Sequence, residues 1–313
     1  MSAFLVTGGS GYVGQHLVNL LLNSGQKVVS LDLKPNPIRS KYLEAIQGDI
    51  SDPYFWNSLP NIEFQGLFHL AALKSVSDSF LRSAEYFKVN VSGTQLALKF
   101  CEERRIQNLV FTSSAAVYGA KSSQSISESD RLEPMNPYGE SKKAAENLLH
   151  LEAKALDIST ATLRCFNIAG AILDNTLNSE SDGLVSALIK SSRNNSNFYL
   201  NGSSLSTIDG SCIRDYTHVE DIVSCHLAAM TYLSTTKNVT TEVVNVCSSR
   251  GTSVLEMLRI VKANSKAQFD VIVRDPRLGD PEVSVGSNAK ARSLFGWSPS
   301  HDIESIIRDT LQH

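Results

Sequence analysis

The 313 residues are 42% hydrophobic and 19% charged, an ordinary globular composition long enough for one large or two modest domains. Lys plus Arg (29) against Asp plus Glu (32) leaves a net charge of −3, too balanced for nucleic acid or an anionic membrane to be the main partner. Cys101, Cys165, Cys212, Cys225 and Cys247 lie without C-x-x-C or His-paired spacing, which argues against a disulfide framework or a structural metal and fits a reducing cytosol.

The chain opens on "AFLVTG", a short apolar run cut off by glycines, so neither a signal peptide nor a membrane anchor is expected and a cytoplasmic protein is. The helical stretch "GQHLVNLLLNSG" follows, then "KVVSLDL" and a third candidate strand ahead of "GDI". The alternation continues through "GLFHLAA", the long helical stretch "YFKVNVSGTQLALKFCEERR", "NLVFTSS", "YGESKKAAENLLHLEAKALD" and "STATLRCF". Short runs rich in Val, Phe and Leu, alternating with helices, predict right-handed βαβ units and an α/β fold whose parallel sheet is covered on both faces. Later the regularity fades into the polar loops "AGAILDNTLNSESDG" and "NNSNFYLNGSSLSTIDGSC". A further strand, "EVVNVCSS", and helices near 219–232, 252–264 and 301–311 remain.

"VTGGSGYVGQHL" joins the first strand to the first helix. Gly9-x-Gly11-x-x-Gly14 fits one dinucleotide pattern and Gly8-x-x-Gly11-x-x-Gly14 a variant of it. Such a turn lets backbone touch a pyrophosphate and offers it the free N–H groups of a helix N-terminus. Asp32 ends the second strand near the expected spacing of about 20 residues. A carboxylate there accepts hydrogen bonds from both adenosine ribose hydroxyls and repels a 2′-phosphate, favouring NAD over NADP. Asp49 either turns the chain at a strand end or reaches the adenine amino group. The expected organisation is a Rossmann-type, doubly wound NAD-binding domain over residues 1–166 with return segments near 211–247, and a smaller α/β substrate domain over 167–313.

In "NPYGESKKAAENLL", Tyr138 and Lys142 stand four apart on one helical face. An ammonium beside a phenol stabilises the phenolate and makes a usable base. With "TGGSGYVG", Asp32, "GDI", "FHLAALKSV", "FTSSAAVYG" and "NPYGESK" in order, the sequence resembles the extended short-chain dehydrogenase/reductase family, and within it the UDP-glucose 4-epimerases. The likeness extends through "RCFNIAG", "IRDYTHVEDI" and "RDPRLGD", nearly the whole chain.

The resemblance implies Tyr138 as general base at a sugar 4-hydroxyl. It gives Lys142 the nicotinamide ribose and a depressing effect on the Tyr138 pKa, and makes Ser114 a hydrogen-bonding partner of the same sugar oxygen. It assigns Gly8, Gly11, Tyr12, Val13, Gly14, Asp32, Asp49, Ile50, Leu70, Ala71, Ala72, Lys74, Asn90, Thr112 and Phe166 to the cofactor. Lys74, Ser114, Asn167, Arg214, Arg277, Asp280 and Ser284 go to a nucleotide-diphosphate sugar, the arginines as planar forks for phosphate oxygens. Related dehydratases carry an acidic pair after the serine; here Ala115 and Ala116 follow, and alanine cannot transfer a proton. That disfavours elimination and leaves oxidation to a 4-keto sugar, rotation, and reduction on the other face. The helices containing Asn90 and Tyr138 are where relatives pair as homodimers.

Several positions depart from the family pattern. Cys165 replaces a frequent Tyr and Leu33 a frequent Asn. Asp182 and Gly183 occupy the region of a diphosphate-binding asparagine pair. Ser284 stands where glucose/galactose enzymes carry a bulky Tyr; either it leaves room for an N-acetyl group at C2 or it touches nothing. Two competing functions remain open at this point: a nucleotide-sugar reductase or dehydrogenase that exchanges cofactor each turnover, and a non-catalytic NAD-sensing protein.

Overall fold

The computed structural model describes residues 2–120, 123–170, 183–265, 269–276 and 281–312. Seven strands pair in parallel, in the spatial order Thr241–Val246, Ser159–Cys165, Asn108–Ser114, Phe64–His69, Ala3–Thr7, Lys27–Asp32, Leu43–Gln47. Every residue of Ala3–Thr7 and of Ser159–Cys165 is buried, as central parallel strands must be when helices cover both faces. One face carries the helices Tyr12–Asn23 and Val219–Thr235, through Leu17, Val18, Leu21, Ile222, Cys225 and Ala229. The other carries Gly93–Arg104 and Pro137–Glu152, through Ala97, Leu98, Cys101, Ala145 and Leu149. Each large apolar side chain buried this way contributes about 1.5–3 kcal/mol.

The chain runs outward from Ala3–Thr7 to Leu43–Gln47, then returns to the opposite side of the first strand at Phe64–His69. This reversal opens a crevice above the carboxyl ends of those two strands, where ligands bind in open α/β sheets.

The helical stretch expected around residues 86–105 is not one α-helix. Ser83–Phe87 and Gly93–Arg104 are α-helical, and Lys88–Ser92 between them is a π turn. An expanded turn of this kind often marks a functional position, and here it carries the buried amide of Asn90. Gly93 then approaches Ile50 so closely that a Cβ on it would lie 2.8 Å from Ile50 Cδ1.

A second sheet is assembled from distant pieces, in the order Gly251–Ser253, Ile213–His218, Val283–Gly286, Ser123–Ile126, with Asn167–Ala169 also pairing with Ile213–His218. Beside it, the helices Leu184–Asn194, Val254–Asn264 and Ile303–Gln312 share a core of Leu188, Ile189, Met257, Val261, Ile306 and Ile307. The first of these helices was not anticipated. The large sheet draws its last strand, Thr241–Val246, from beyond the first pieces of this smaller layer.

Candidate active site

The glycine turn is compressed against the end of the fourth strand. Gly8 has φ +74°, and a Cβ there would sit 2.7 Å from the Ala71 nitrogen. A Cβ on Gly14 would sit 1.9 Å from the Gly8 carbonyl oxygen. Gly11 is the N-cap of Tyr12–Asn23 and brings no capping side chain to the first-turn N–H groups, which include those of Tyr12, Val13 and Gly14. A cradle that admits only hydrogens, at an uncapped helix N-terminus, fits a dinucleotide pyrophosphate.

Asp32 stands beside it, accepting the Ser10 N–H and the Lys34 N–H at 3.0 Å each. Asp49 accepts the N–H and hydroxyl of Ser51, both at 2.8 Å, so its first role is the strand-end turn. Leu70 and Ala71 are tied to Thr7, Leu70 N–H to the carbonyl (3.1 Å) and Ala71 N–H to the hydroxyl (3.2 Å). Ala72 is half-buried and Lys74 exposed beyond them. The Tyr12 hydroxyl donates to the Gly170 carbonyl across 3.1 Å, and burial raises its pKa.

A proton-ordered chain runs beneath this turn. Thr94 donates to the Asn90 carbonyl at 2.6 Å, so its oxygen accepts from His69 Nε2–H at 3.1 Å. His69 Nδ1 therefore accepts from the Thr7 hydroxyl at 2.8 Å, and Thr7 in turn receives the Ala71 N–H. Burial holds the His69 pKa down at about 3, with Lys142 lowering it further, so the ring is neutral. The chain had no sequence signal beyond a His inside a strand.

Asn90 is fully engaged by the protein. Its Oδ1 accepts the Leu73 N–H (2.8 Å), and its two amide hydrogens go to the Leu73 carbonyl (3.0 Å) and Ser141 Oγ (2.9 Å). Both donors are spent on protein, so Asn90 joins the Leu73 loop to the Tyr138 helix.

That helix begins where its caps dictate: Asn136 accepts the Gly139 N–H at 2.8 Å and Pro137 occupies the first turn. Gly139 lets the helix start against the Ala115–Tyr118 turn, since a Cβ on it would lie 2.7 Å from the Ala116 carbonyl oxygen. This brings Tyr138 to Ser114 at the end of Asn108–Ser114. Burial pushes the Tyr138 phenol up to about 12, while a hydrogen bond with Ser114 pulls the other way. The Tyr86 ring meets Tyr138 edge-on, 6.4 Å between centroids.

Lys142 is buried, with Nζ donating to the Thr112 carbonyl at 2.8 Å and lying 4.7 Å from the Phe111 ring centroid. Burial lowers its pKa to about 8, opposed by Cys165 and Glu146. The Lys142 ammonium is held by the Thr112 carbonyl, and at the Tyr138 phenol the effect of burial outweighs that of the Ser114 hydrogen bond.

The Thr112 hydroxyl meets His226 Nε2 at 2.7 Å, while its carbonyl receives Lys142. Phe166 packs into an interior cluster with Tyr118 and Cys247, close enough to Gly286 that a Cβ there would lie 2.7 Å from its ring.

On the substrate side, Arg214 is in register with Ser284, and Tyr216 with Asn167. Strand alternation puts these positions on one face of the second sheet. Asn167 is exposed; Arg214 Nη1 rests on the carbonyls of Ile213 (3.0 Å) and Glu282 (3.4 Å). Arg277, Asp280 and Asp182 lie outside the described residues, and Gly183 is the N-cap of Leu184–Asn194.

Glu146, Ser113 and Arg164, which the sequence reading passed over, lie one layer below. Glu146 was findable as the next member of the Tyr138–Lys142 stripe. Elsewhere, His218, Glu220 and His301 approach with metal-like spacing. The His rings stack at 4.2 Å and 21°, so their in-plane lone pairs do not converge on one ion, and His218 Nδ1 already accepts the Glu220 N–H.

Residues 4–247 match the NAD dependent epimerase/dehydratase family. The chain is 33% identical to a UDP-glucose 4-epimerase of Lacticaseibacillus casei, over 96% of this chain and 93% of that one. A UDP-glucose 4-epimerase structure from Brucella ovis in complex with NAD aligns with TM-score 0.91 at 31% identity, covering 100% of this chain and 98% of the other. One from Stenotrophomonas maltophila, with bound NAD and formylated UDP-arabinopyranose, aligns with TM-score 0.89 at 30% identity, covering 100% and 97%. This chain belongs to the NAD dependent epimerase/dehydratase family.

Proposed function

We propose that the protein is an NAD-dependent epimerase of a nucleotide-diphosphate sugar at C4. The observation that carries this reading is Ser114, Tyr138 and Lys142 drawn together beside a hydrogen-only glycine cradle, with Ala115 and Ala116 directly after the serine. The epimerase relatives and the NAD-bound structures of similar proteins support it.

NAD, when bound, supplies the positively charged ring that takes up and returns the C4 hydrogen. Gly8, Gly11 and Gly14 hold its pyrophosphate and Asp32 its adenosine ribose. Lys142 spends one of its three donors on Thr112 and keeps two for ribose hydroxyls. Tyr138 takes the 4-hydroxyl proton and Ser114 holds the same oxygen, so proton and C4 hydrogen leave together. Neither Ala115 nor Ala116 can move a proton at C5 or C6, so the 4-keto sugar survives to be reduced from its other face. Arg214 and Asn167, with Lys74 at the crevice mouth, hold the nucleotide diphosphate, and Ser284, beside Arg214, leaves room at C2 for an N-acetyl group.

A homodimer is part of this reading. Phe87 (41% exposed) and Leu151 (74%) lie on the two helical segments expected to pair, with Phe80 (62%) and Leu81 (86%) on the neighbouring turn. A cytoplasmic location accords with the free state of all five cysteines. Among the described residues, no helix is long and apolar enough to cross a membrane.

The test is purified protein without added cofactor, given UDP-galactose and UDP-N-acetylgalactosamine separately and followed by proton NMR. Conversion to the C4 epimer is the expected result. Accumulation of an oxidised sugar that consumes added NAD+ or NADP+ stoichiometrically would make the protein a dehydrogenase instead.

A further inference from the structure

Tyr138, Lys142 and Glu146 stand at successive i, i+4 positions of Pro137–Glu152, one stripe facing the sheet. Three consecutive strand residues receive that stripe: Thr112 takes Lys142 through its carbonyl, Ser113 donates its hydroxyl to Glu146, and Ser114 meets Tyr138. From the adjacent strand Arg164, in register with Ser113, closes on the same carboxylate. Its Nε lies 3.1 Å from each Glu146 oxygen and its Nη2 2.7 Å from Oε2. Arg164 Nη1 continues to the Tyr118 hydroxyl (2.9 Å), which donates to Asn245 Oδ1 (2.7 Å). Both charged side chains are about 5% exposed, 6% for Arg164 and 5% for Glu146.

We propose that Glu146, clamped by Arg164 and Ser113, is a positioning residue for the Tyr138–Lys142 pair: it fixes the helix in register with the strand end and supplies the negative charge that faces the buried ammonium. This rests on Lys142 and Tyr138 working as described above, but it can be read without turnover.

The location of the clamp favours a functional role over simple stability. A buried ion pair contributes little net stability compared with apolar residues of the same volume. Lys142 needs a counter-charge because burial alone drives it towards neutrality. Among the described residues the groups acting on it are Glu146 on its own helix, the Cys165 thiol at the end of Ser159–Cys165 and the His69 imidazole at the end of Phe64–His69. Burial holds that thiol neutral, its pKa raised to about 12, and His69 is neutral too. Glu146 is therefore the one carboxylate in this group.

The experiment follows the titration of Lys142, labelled with carbon-13 at Cε and assigned with Lys142→Arg, in the whole protein as purified with its retained NAD. Glu146→Gln lowers the midpoint by about one pH unit, and Glu146→Asp, which keeps the charge, leaves it near wild type. In the epimerisation assay Glu146→Gln lowers kcat about tenfold, leaves KM alone and moves the alkaline limb to lower pH. If Glu146→Gln does not fold because Arg164 is left unpaired, the neutral double variant Glu146→Gln, Arg164→Gln is compared with Arg164→Gln, and the midpoint is expected to be lower in the double variant. An unmoved midpoint in the folded variant, or equal shifts for Gln and Asp, overturns the proposal. An inactive wild-type protein with the predicted titration overturns the catalytic reading instead.

Discussion

The two ends of the crevice are built differently. At the glycine turn the polar groups of the scaffold are already paired with one another: Thr7, His69, Thr94, Asn90 and Ala71 form one ordered chain, and Asn90 spends its whole amide on Leu73 and Ser141. On the small sheet Arg214 leans on two backbone carbonyls and Asn167 stands exposed. A preorganised end suits a cofactor kept through many turnovers. An end whose donors must be re-aimed suits a substrate that binds, rotates and leaves.

The contrast can be broken first at the chemistry. Tyr138→Phe removes the only proton acceptor proposed for the 4-hydroxyl and lowers kcat about a thousandfold, with bound NAD content unchanged on acid release. Loss of NAD along with activity would mean the phenol holds the cofactor rather than the proton.

Gly14→Ala attacks the rigid end. The added methyl has no room beside the Gly8 carbonyl, and stability falls by about 1–3 kcal/mol with a matching loss of copurified NAD. Arg214→Ala should instead raise KM for the nucleotide sugar and spare NAD content; equal effects of both variants on NAD would erase the distinction.

Acid tests two buried imidazoles, His69 in the ordered chain and His226 against Thr112. The buried His69 and His226 have pKa values lowered to about 3 and about 4, below an unfolded value near 6.5, so the unfolded state binds more protons over that interval. Their contribution to stability is complete above about pH 6.5 and is lost as pH falls towards the folded values. A thermal-unfolding series should show Tm dropping on acidification, with a shallower slope in His226→Gln. The same slope in that variant would contradict a neutral buried imidazole. The smallest effect belongs to Ser284→Tyr, which lowers turnover of the N-acetylated sugar and leaves UDP-galactose unaffected; full activity on both sugars means Ser284 does not border C2.

The large sheet was legible because five of its strands, though not the exposed edge strand Leu43–Gln47, are short apolar runs alternating with helices, and "VTGGSGYVG" reads as a crowded turn. Tyr138 and Lys142 were legible from helical spacing. The second sheet was not, because Ser123–Ile126, Asn167–Ala169, Ile213–His218, Gly251–Ser253 and Val283–Gly286 meet only through tertiary folding and share no sequence period. The π turn at Lys88–Ser92 was hidden for a similar reason: what turns Asn90 inward is Leu73 and Ser141, not its neighbours in sequence. Thr112 and Phe166 lie in well-placed motifs, yet their side chains go to His226 and to the core. A motif locates a backbone more reliably than it aims a side chain.

The most direct test of the central claim uses UDP-galactose carrying deuterium at C4 and protein with no added cofactor. The account predicts UDP-glucose with the deuterium still at C4, because the same retained NAD takes and returns it inside one site. Product with hydrogen at C4, or conversion only when nicotinamide cofactor is added, would contradict it.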